Sequence, residues 1–249
     1  IVLTTGITHA LTLLLGILVR PGDAVLVGDP SWFAGFGTVT SYRAHPVGYD
    51  YTPEGPDLAA LERKVVHYRP KLLVINSIGH NPTGTSLTRA AAEKLLALAE
   101  TYGFTILEDD AYADLCPPDA GTRLASLDRK GRVVYCGSYT KTIAQNLRVG
   151  FLACKRELAE EITNRKVLTG FTTPESNERI LHGVLVSGHY RKHLERLHAK
   201  RAQARAVATR DLKRLGLKEF CPAPVGLHTW VDTGRDSLEM AAAAGDALE

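Results

Sequence analysis

Short apolar runs and helical stripes alternate through the first half of the chain. Residues 1–3 read as a strand that leads through Gly6 into an apolar helix over 9–19. Arg20-Pro21-Gly22-Asp23 is a turn, because proline presets φ and glycine tolerates φ > 0. Residues 24–28 form an unbroken apolar run, the mark of a strand covered on both faces, and Asp29-Pro30 ends it. An amphipathic stripe predicts a helix over 58–68. Residues 71–75 predict a strand that opens into a loop at Asn81, and 89–102 a second amphipathic helix. Residues 104–107 predict a strand ending in carboxylates, 133–136 one ending at a lysine loop, and 151–153 a further strand. Strands separated by helices predict an α/β layered fold with a mostly parallel central sheet, over residues 1 to about 185. In such sheets functional groups gather at strand ends.

From Pro174 the texture changes. Residues 176–215 carry a long helical pattern, rich in Arg, Lys and His, which Gly188 breaks into two helices or bends. Residues 219–231 read as a turn and strand of a second, α+β domain that is only partly present. The expected division is a large domain over 1–185, then a connecting helix and partial small domain over 186–249.

Composition narrows the function classes. A net charge of +3 is too small to argue for nucleic acid or an acidic membrane surface. Cys116, Cys136, Cys154 and Cys221 are widely spaced, so neither a zinc site nor a disulfide framework is expected, and a reducing cytoplasm is. No apolar run reaches membrane-spanning length. The chain begins without Met, inside an apparent strand, and ends in residues 241–249, which read as a helix cut short. A fragment of a longer protein is the expectation.

Every chemically capable motif follows an apolar run directly. Lys141, in Gly137-Ser138-Tyr139-Thr140-Lys141, offers an amine that condenses with an aldehyde cofactor. Arg148 and Ser138 offer a guanidinium fork and a hydroxyl to a phosphate. Gly6, Ile7 and Thr8 open a helix whose N–H groups face an anion above them. Asp109 offers a carboxylate to a ring nitrogen, with Glu108 and Asp110 as competitors for that role. Tyr112 and Asn81 offer a phenol and an amide to a ring hydroxyl, and Trp32 an aromatic face. Together these are the parts of a pyridoxal 5'-phosphate (PLP) site.

Taken singly, each group has a plainer reading. Lys141 would be a surface lysine, Arg148 a salt bridge, Ser138 and Asn81 turn residues and Trp32 a core side chain. The three adjacent acids would solvate a loop or bind a metal. His9, His80, His189 and His193 read as structural or surface groups, the last two on one solvated helix face despite a metal-capable spacing.

The order and spacing of Gly6, Trp32, Asn81, Asp109, Tyr112, Ser138, Lys141 and Arg148 resemble the PLP-dependent aminotransferases of fold type I, class I/II. The resemblance implies PLP on Lys141 as a Schiff base, catalytic roles for Lys141, Asp109 and Tyr112, an amino acid or 2-oxo acid as substrate, no metal, and a cytoplasmic homodimer. A narrower likeness lies in Asp29-Pro30-Ser31-Trp32, Asn76-Ser77, His80-Asn81-Pro82, Glu108-Asp109-Asp110-Ala111-Tyr112, Ser187-Gly188-His189-Tyr190 with His193, and Trp230-Val231-Asp232-Thr233-Gly234. These look like the aminotransferase-like domains of MocR-subfamily GntR-type transcription regulators, which implies an effector domain that reaches DNA only through a domain absent from this chain. The kynurenine/aminoadipate aminotransferases are the nearest enzymes in likeness. The chain departs from the family at Gln145-Asn146, where Pro-Gly is usual. The small-domain region that carries the family's substrate-carboxylate arginine is missing as well.

Overall fold

Continuous apolar runs need cover on both faces, and the fold supplies it with two helical layers. A computed structural model describes residues 1–246. In chain order the elements are β1 (Val2–Thr4), α1 (Ile7–Leu18), β2 (Ala24–Asp29), α2 (Phe33–Ser41), β3 (His45–Thr52), β4 (Gly55–Pro56), α3 (Leu58–Tyr68), β5 (Leu72–Ile75), α4 (Arg89–Tyr102), β6 (Thr105–Asp110), β7 (Val133–Ser138) and β8 (Gly150–Ala153). Then come α5 (Arg156–Gly170), α6 (Glu175–Val186), α7 (His189–Arg214), β9 (Lys218–Glu219), β10 (Val231–Asp232) and α8 (Ser237–Asp246). The main sheet has 8 strands in the order β1-β8-β7-β6-β5-β2-β3-β4. Its centre, from β3 through β7, is parallel, while β8, β1 and β4 join antiparallel at the margins.

Strand alternation sorts the core. Leu26, Leu73, Phe104 and Ile106 pack with Leu61 and Val65 of α3 and Leu95 of α4. Val25, Val27, Leu72, Leu107 and Cys136 point the other way, onto Leu11 and Leu14 of α1, Val39 of α2 and Ile162 of α5. The α/β fold with a mostly parallel sheet is therefore as the sequence predicts.

The differences have local causes. The acids 108–110 do not follow β6 but lie within it, because Asp109 and Asp110 stay in register with Cys136 and Gly137 of β7. At the end of the predicted 219–231 turn and strand, the second strand is only β10 (Val231–Asp232), which pairs antiparallel with β9. The residues before it dock on the Asn81 loop instead, through the Val225 N–H to the Gly84 carbonyl at 2.9 Å. Gly188, at φ 71, separates α6 from α7. The predicted terminal helix is α8, and residues 247–249 lie outside the described residues.

Candidate active site

Parallel strands end at one edge of the sheet, and loops from that edge enclose a cavity of about 400 Å³. Ile7, Thr8, Trp32, Asn81, Asp109, Tyr112, Lys141 and Arg148 all line it. Gly6 and Ser138 back the same wall. A Cβ on Gly6 would stand 2.6 Å from Arg148 Nη2, and Ser138 Oγ lies 3.0 Å from the hydroxyl of Thr140, which also faces the cavity.

Alternation along β6 decides among the three acids. Glu108 turns into the protein and accepts from the Leu124 and Ala125 N–H groups at 2.7 and 2.8 Å. Burial raises its pKa. Asp110 faces the same way, accepting from Arg123 Nε at 2.6 Å and from the Tyr135 hydroxyl. Asp109, on the opposite face, is the one that reaches the cavity. Its Oδ1 accepts from the Ala111 N–H at 3.0 Å, and its backbone carbonyl from Asn76 Nδ2 at 2.9 Å. Burial pushes the Asp109 carboxyl up to about 6, the bonds from Ala111 and Asn76 opposing. A buried carboxylate held by neutral donors has room for a cation to restore its charge.

Asn81 Nδ2 donates to the Tyr112 hydroxyl oxygen at 3.2 Å, so the amide and phenol meet across two loops. Burial raises the Tyr112 pKa, and the Asp109 charge raises it further. Lys141 Nζ stands 5.7 Å from the centroid of the Tyr112 ring. Trp32, at the mouth of α2, lines the cavity beside Asp109.

The start of α1 and Arg148 form a further wall of the cavity. Gly6 has φ 92 and ψ −178, a conformation for glycine, and α1 begins beyond it with no side-chain cap. Its first N–H groups are thus available to a ligand. Arg148, in left-handed conformation at φ 49, donates from Nη2 to the Thr5 carbonyl at 2.8 Å. A non-glycine residue held there stores strain, as at many ligand clamps. Amine, carboxylate, amide–phenol pair and cradle fit the aldehyde, ring nitrogen, ring hydroxyl and phosphate of PLP.

Other groups hold structural places around the site, one of them against the sequence reading. Tyr190 of α7 donates to Asp114 Oδ2 at 2.7 Å, and its hydroxyl lies 3.1 Å from Thr142 Oγ1. His193 bonds the Thr142 carbonyl at 2.6 Å. His193 is therefore no member of a solvated face but a brace on the Lys141 loop, while His189 turns to Ser187 Oγ at 2.8 Å. His80 is buried, stacked on Tyr51 with centroids 3.9 Å apart, bonded to Thr83 at 2.8 Å and pushed by burial down to about 3. His9 accepts from the Thr5 N–H at 3.1 Å. His228, from the far end of the chain, also lines the cavity. No composition signal marks it, and only tertiary docking brings it there.

An amine, a buried carboxylate and a helix N-terminus gathered at the carboxyl edge of a two-sided parallel sheet define the fold shared by the PLP-dependent transferases of fold type I. The sequence profile described as Aminotransferase class I and II matches residues 1–244, and the chain belongs to that family. It is 32% identical over 216 residues to 2-aminoadipate transaminase of Thermus thermophilus, covering 82% of this chain and 53% of that protein. It is 30% identical over 231 residues to the HTH-type transcriptional regulator YdcR of Escherichia coli, covering 92% of this chain and 48% of the regulator. The chain thus spans about half the length of the curated relatives it matches. Kynurenine aminotransferase of Pyrococcus horikoshii superposes with TM-score 0.92 over 98% of this chain and 63% of its own, at 24% identity, which speaks for the fold alone. LysN, the α-aminoadipate aminotransferase of Thermus thermophilus, solved with N-(5'-phosphopyridoxyl)-L-leucine, superposes with TM-score 0.87 at 26% identity, over 95% of this chain and 62% of its own.

Proposed function

We propose that this chain is the PLP-binding, aminotransferase-like effector domain of a GntR/MocR-type transcriptional regulator, with Lys141 as the residue that links covalently to the cofactor. The observation that carries the reading is the convergence of Lys141, Asp109 and the Gly6–Arg148 cradle on one cavity. Residues 1–185 would form the PLP-binding large domain, and 186–249 a connecting helix and partial small domain.

PLP supplies an aldehyde that condenses with amines and a ring that withdraws electrons from the attached α-carbon. Arg148, Ser138 and the N–H groups of Ile7 and Thr8 would hold its phosphate. Asp109 would accept from the protonated ring nitrogen and keep it protonated. Asn81 and Tyr112 would orient the ring hydroxyl, and Trp32 would cover one ring face. The Lys141 amine, when not linked to the cofactor, would serve as the general base for an α-proton.

An amino acid or 2-oxo acid is the expected small-molecule partner, and DNA would be met only through another domain. A homodimer is the expected assembly, as the family resemblance implies. Among the described residues no helix is long and apolar enough to cross a membrane. A cytoplasmic setting is consistent with four free cysteines. The second reading, a free-standing aminotransferase, is favoured by the identity to 2-aminoadipate transaminase.

The test is to load the chain with PLP, reduce it with borohydride and map the pyridoxyl group by peptide mass spectrometry. Modification at Lys141, absent in Lys141→Ala, is expected; capture spread over other lysines overturns the assignment. Release of a 2-oxo acid over many turnovers, with an amino acid and a second 2-oxo acid supplied together so that the amino group has an acceptor, would favour the enzyme reading. A winged helix ahead of residue 1 in the full-length protein would decide for the regulator.

A further inference from the structure

One cavity-lining group has no part in the reading above. Among the described residues that line the cavity, His228 alone comes from beyond Arg148. Its ring meets the edge of the Tyr112 ring, with centroids 5.2 Å apart and planes at 80°. Its Nδ1 is buried and has no hydrogen-bond partner. An imidazole nitrogen left without a partner in a native site calls for an explanation, and an unbound ligand is one.

The mount of His228 is built rather than incidental. Arg205 of α7 donates from Nη2 to the His228 carbonyl at 3.0 Å, and from Nη1 to Glu219 at 2.6 Å and Thr229 Oγ1 at 2.8 Å. Upstream, Pro224 and Val225 lie so close to the Asn81 loop that a Cβ on Gly84 would be 2.7 Å from Pro224 Cβ. The residue is thus fixed from both sides, at the helix and at the loop that also carries Asn81.

Charge says what belongs beside it. Burial lowers the His228 pKa and the Lys141 charge lowers it further, and an imidazole carries an N–H to donate in either protonation state. Beyond His228, Lys141, Lys200 and Arg201 line a second cavity with Leu227. The region around the His228 ring is therefore positive. An amino acid whose amine replaces that of Lys141 carries its carboxylate one carbon away from that amine. Asn81 and Tyr112 are engaged with each other, and Arg148 Nη2 with the Thr5 carbonyl.

We propose that His228 is a substrate-binding residue that donates a hydrogen bond to the α-carboxylate of the incoming amino acid. The proposal rests on the PLP reading and deepens it. The experiment titrates the PLP-loaded chain with 2-methylalanine, an amino acid with no α-proton, and separately with isopropylamine, which has the amine but no carboxylate. Binding is read by calorimetry and by the cofactor absorbance. His228→Phe should weaken 2-methylalanine about tenfold, the scale of one hydrogen bond to a charged group, and leave isopropylamine within about twofold. His228→Gln, which keeps an N–H donor, should recover part of the loss. PLP affinity should be unchanged in both, which also certifies that the variants fold. An equal loss for both probes, or no loss for 2-methylalanine, overturns the proposal. A wild-type chain that takes up no PLP is a separate result: it overturns the cofactor reading, and this inference with it.

Discussion

Asn81 donates its side-chain amide to the Tyr112 phenol across 3.2 Å, tying the loop after β5 to the loop after β6. Each group holds the other where a ring hydroxyl would sit. Tyr112→Phe should therefore weaken PLP about fivefold and Asn81→Ala by a similar factor, each removing one net hydrogen bond. The double variant should lose less than the product, since the pair acts as a unit. Equilibrium titration of cofactor fluorescence checks both points.

Asp109 carries the pH dependence of the empty site. Burial raises its folded-state pKa from 3.8 to about 6. Between those values the folded chain holds a proton that the unfolded chain has lost. Stability of the cofactor-free chain should then fall as pH rises from about 4 to about 6, and level off above. Asp109→Asn should flatten this segment of the melting-temperature profile, leaving the fall in the same direction from Glu108. The same variant should weaken PLP about 100-fold, because the ring cation loses its buried counter-charge.

Gly6→Ala tests the cradle. The new methyl would press on the Arg148 guanidinium at 2.6 Å, in a backbone conformation that alanine resists. PLP affinity should fall about tenfold, and inorganic phosphate should lose its ability to compete with PLP.

Asp110 supports the site from behind. Its side chain is 2% exposed and pairs with Arg123, which is 38% exposed. Asp110→Ala should cost about 2 kcal/mol in chemical denaturation, less than a fully buried pair because water reaches the arginine. Tyr135→Phe should cost about 1 kcal/mol through the same carboxylate.

The strands that carry the site were legible because parallel strands buried on both faces are simple apolar runs. Asp109, Asn81 and Lys141 could be placed because each follows such a run. Residues 33–57 were not legible. Gly35, Gly37 and a threonine-rich stretch blur the period of α2, and His45-Pro46 opens β3. Helix α5 escaped because its buried residues are only Leu158 and Ile162 on an otherwise polar surface. His228 had no local signal at all. Its place follows from contacts between segments far apart in sequence, which no periodicity records.

Helix α7 begins at the Gly188 pivot, with Tyr190 and His193 resting on the lysine loop at Thr142. It runs for 26 residues, about 39 Å at 1.5 Å per residue. One end of this rod rests on the loop that carries Lys141, and Arg205 near its other end holds the His228 carbonyl. A single helix therefore spans the distance between two walls of one cavity, and a change in its length or register would move one wall against the other.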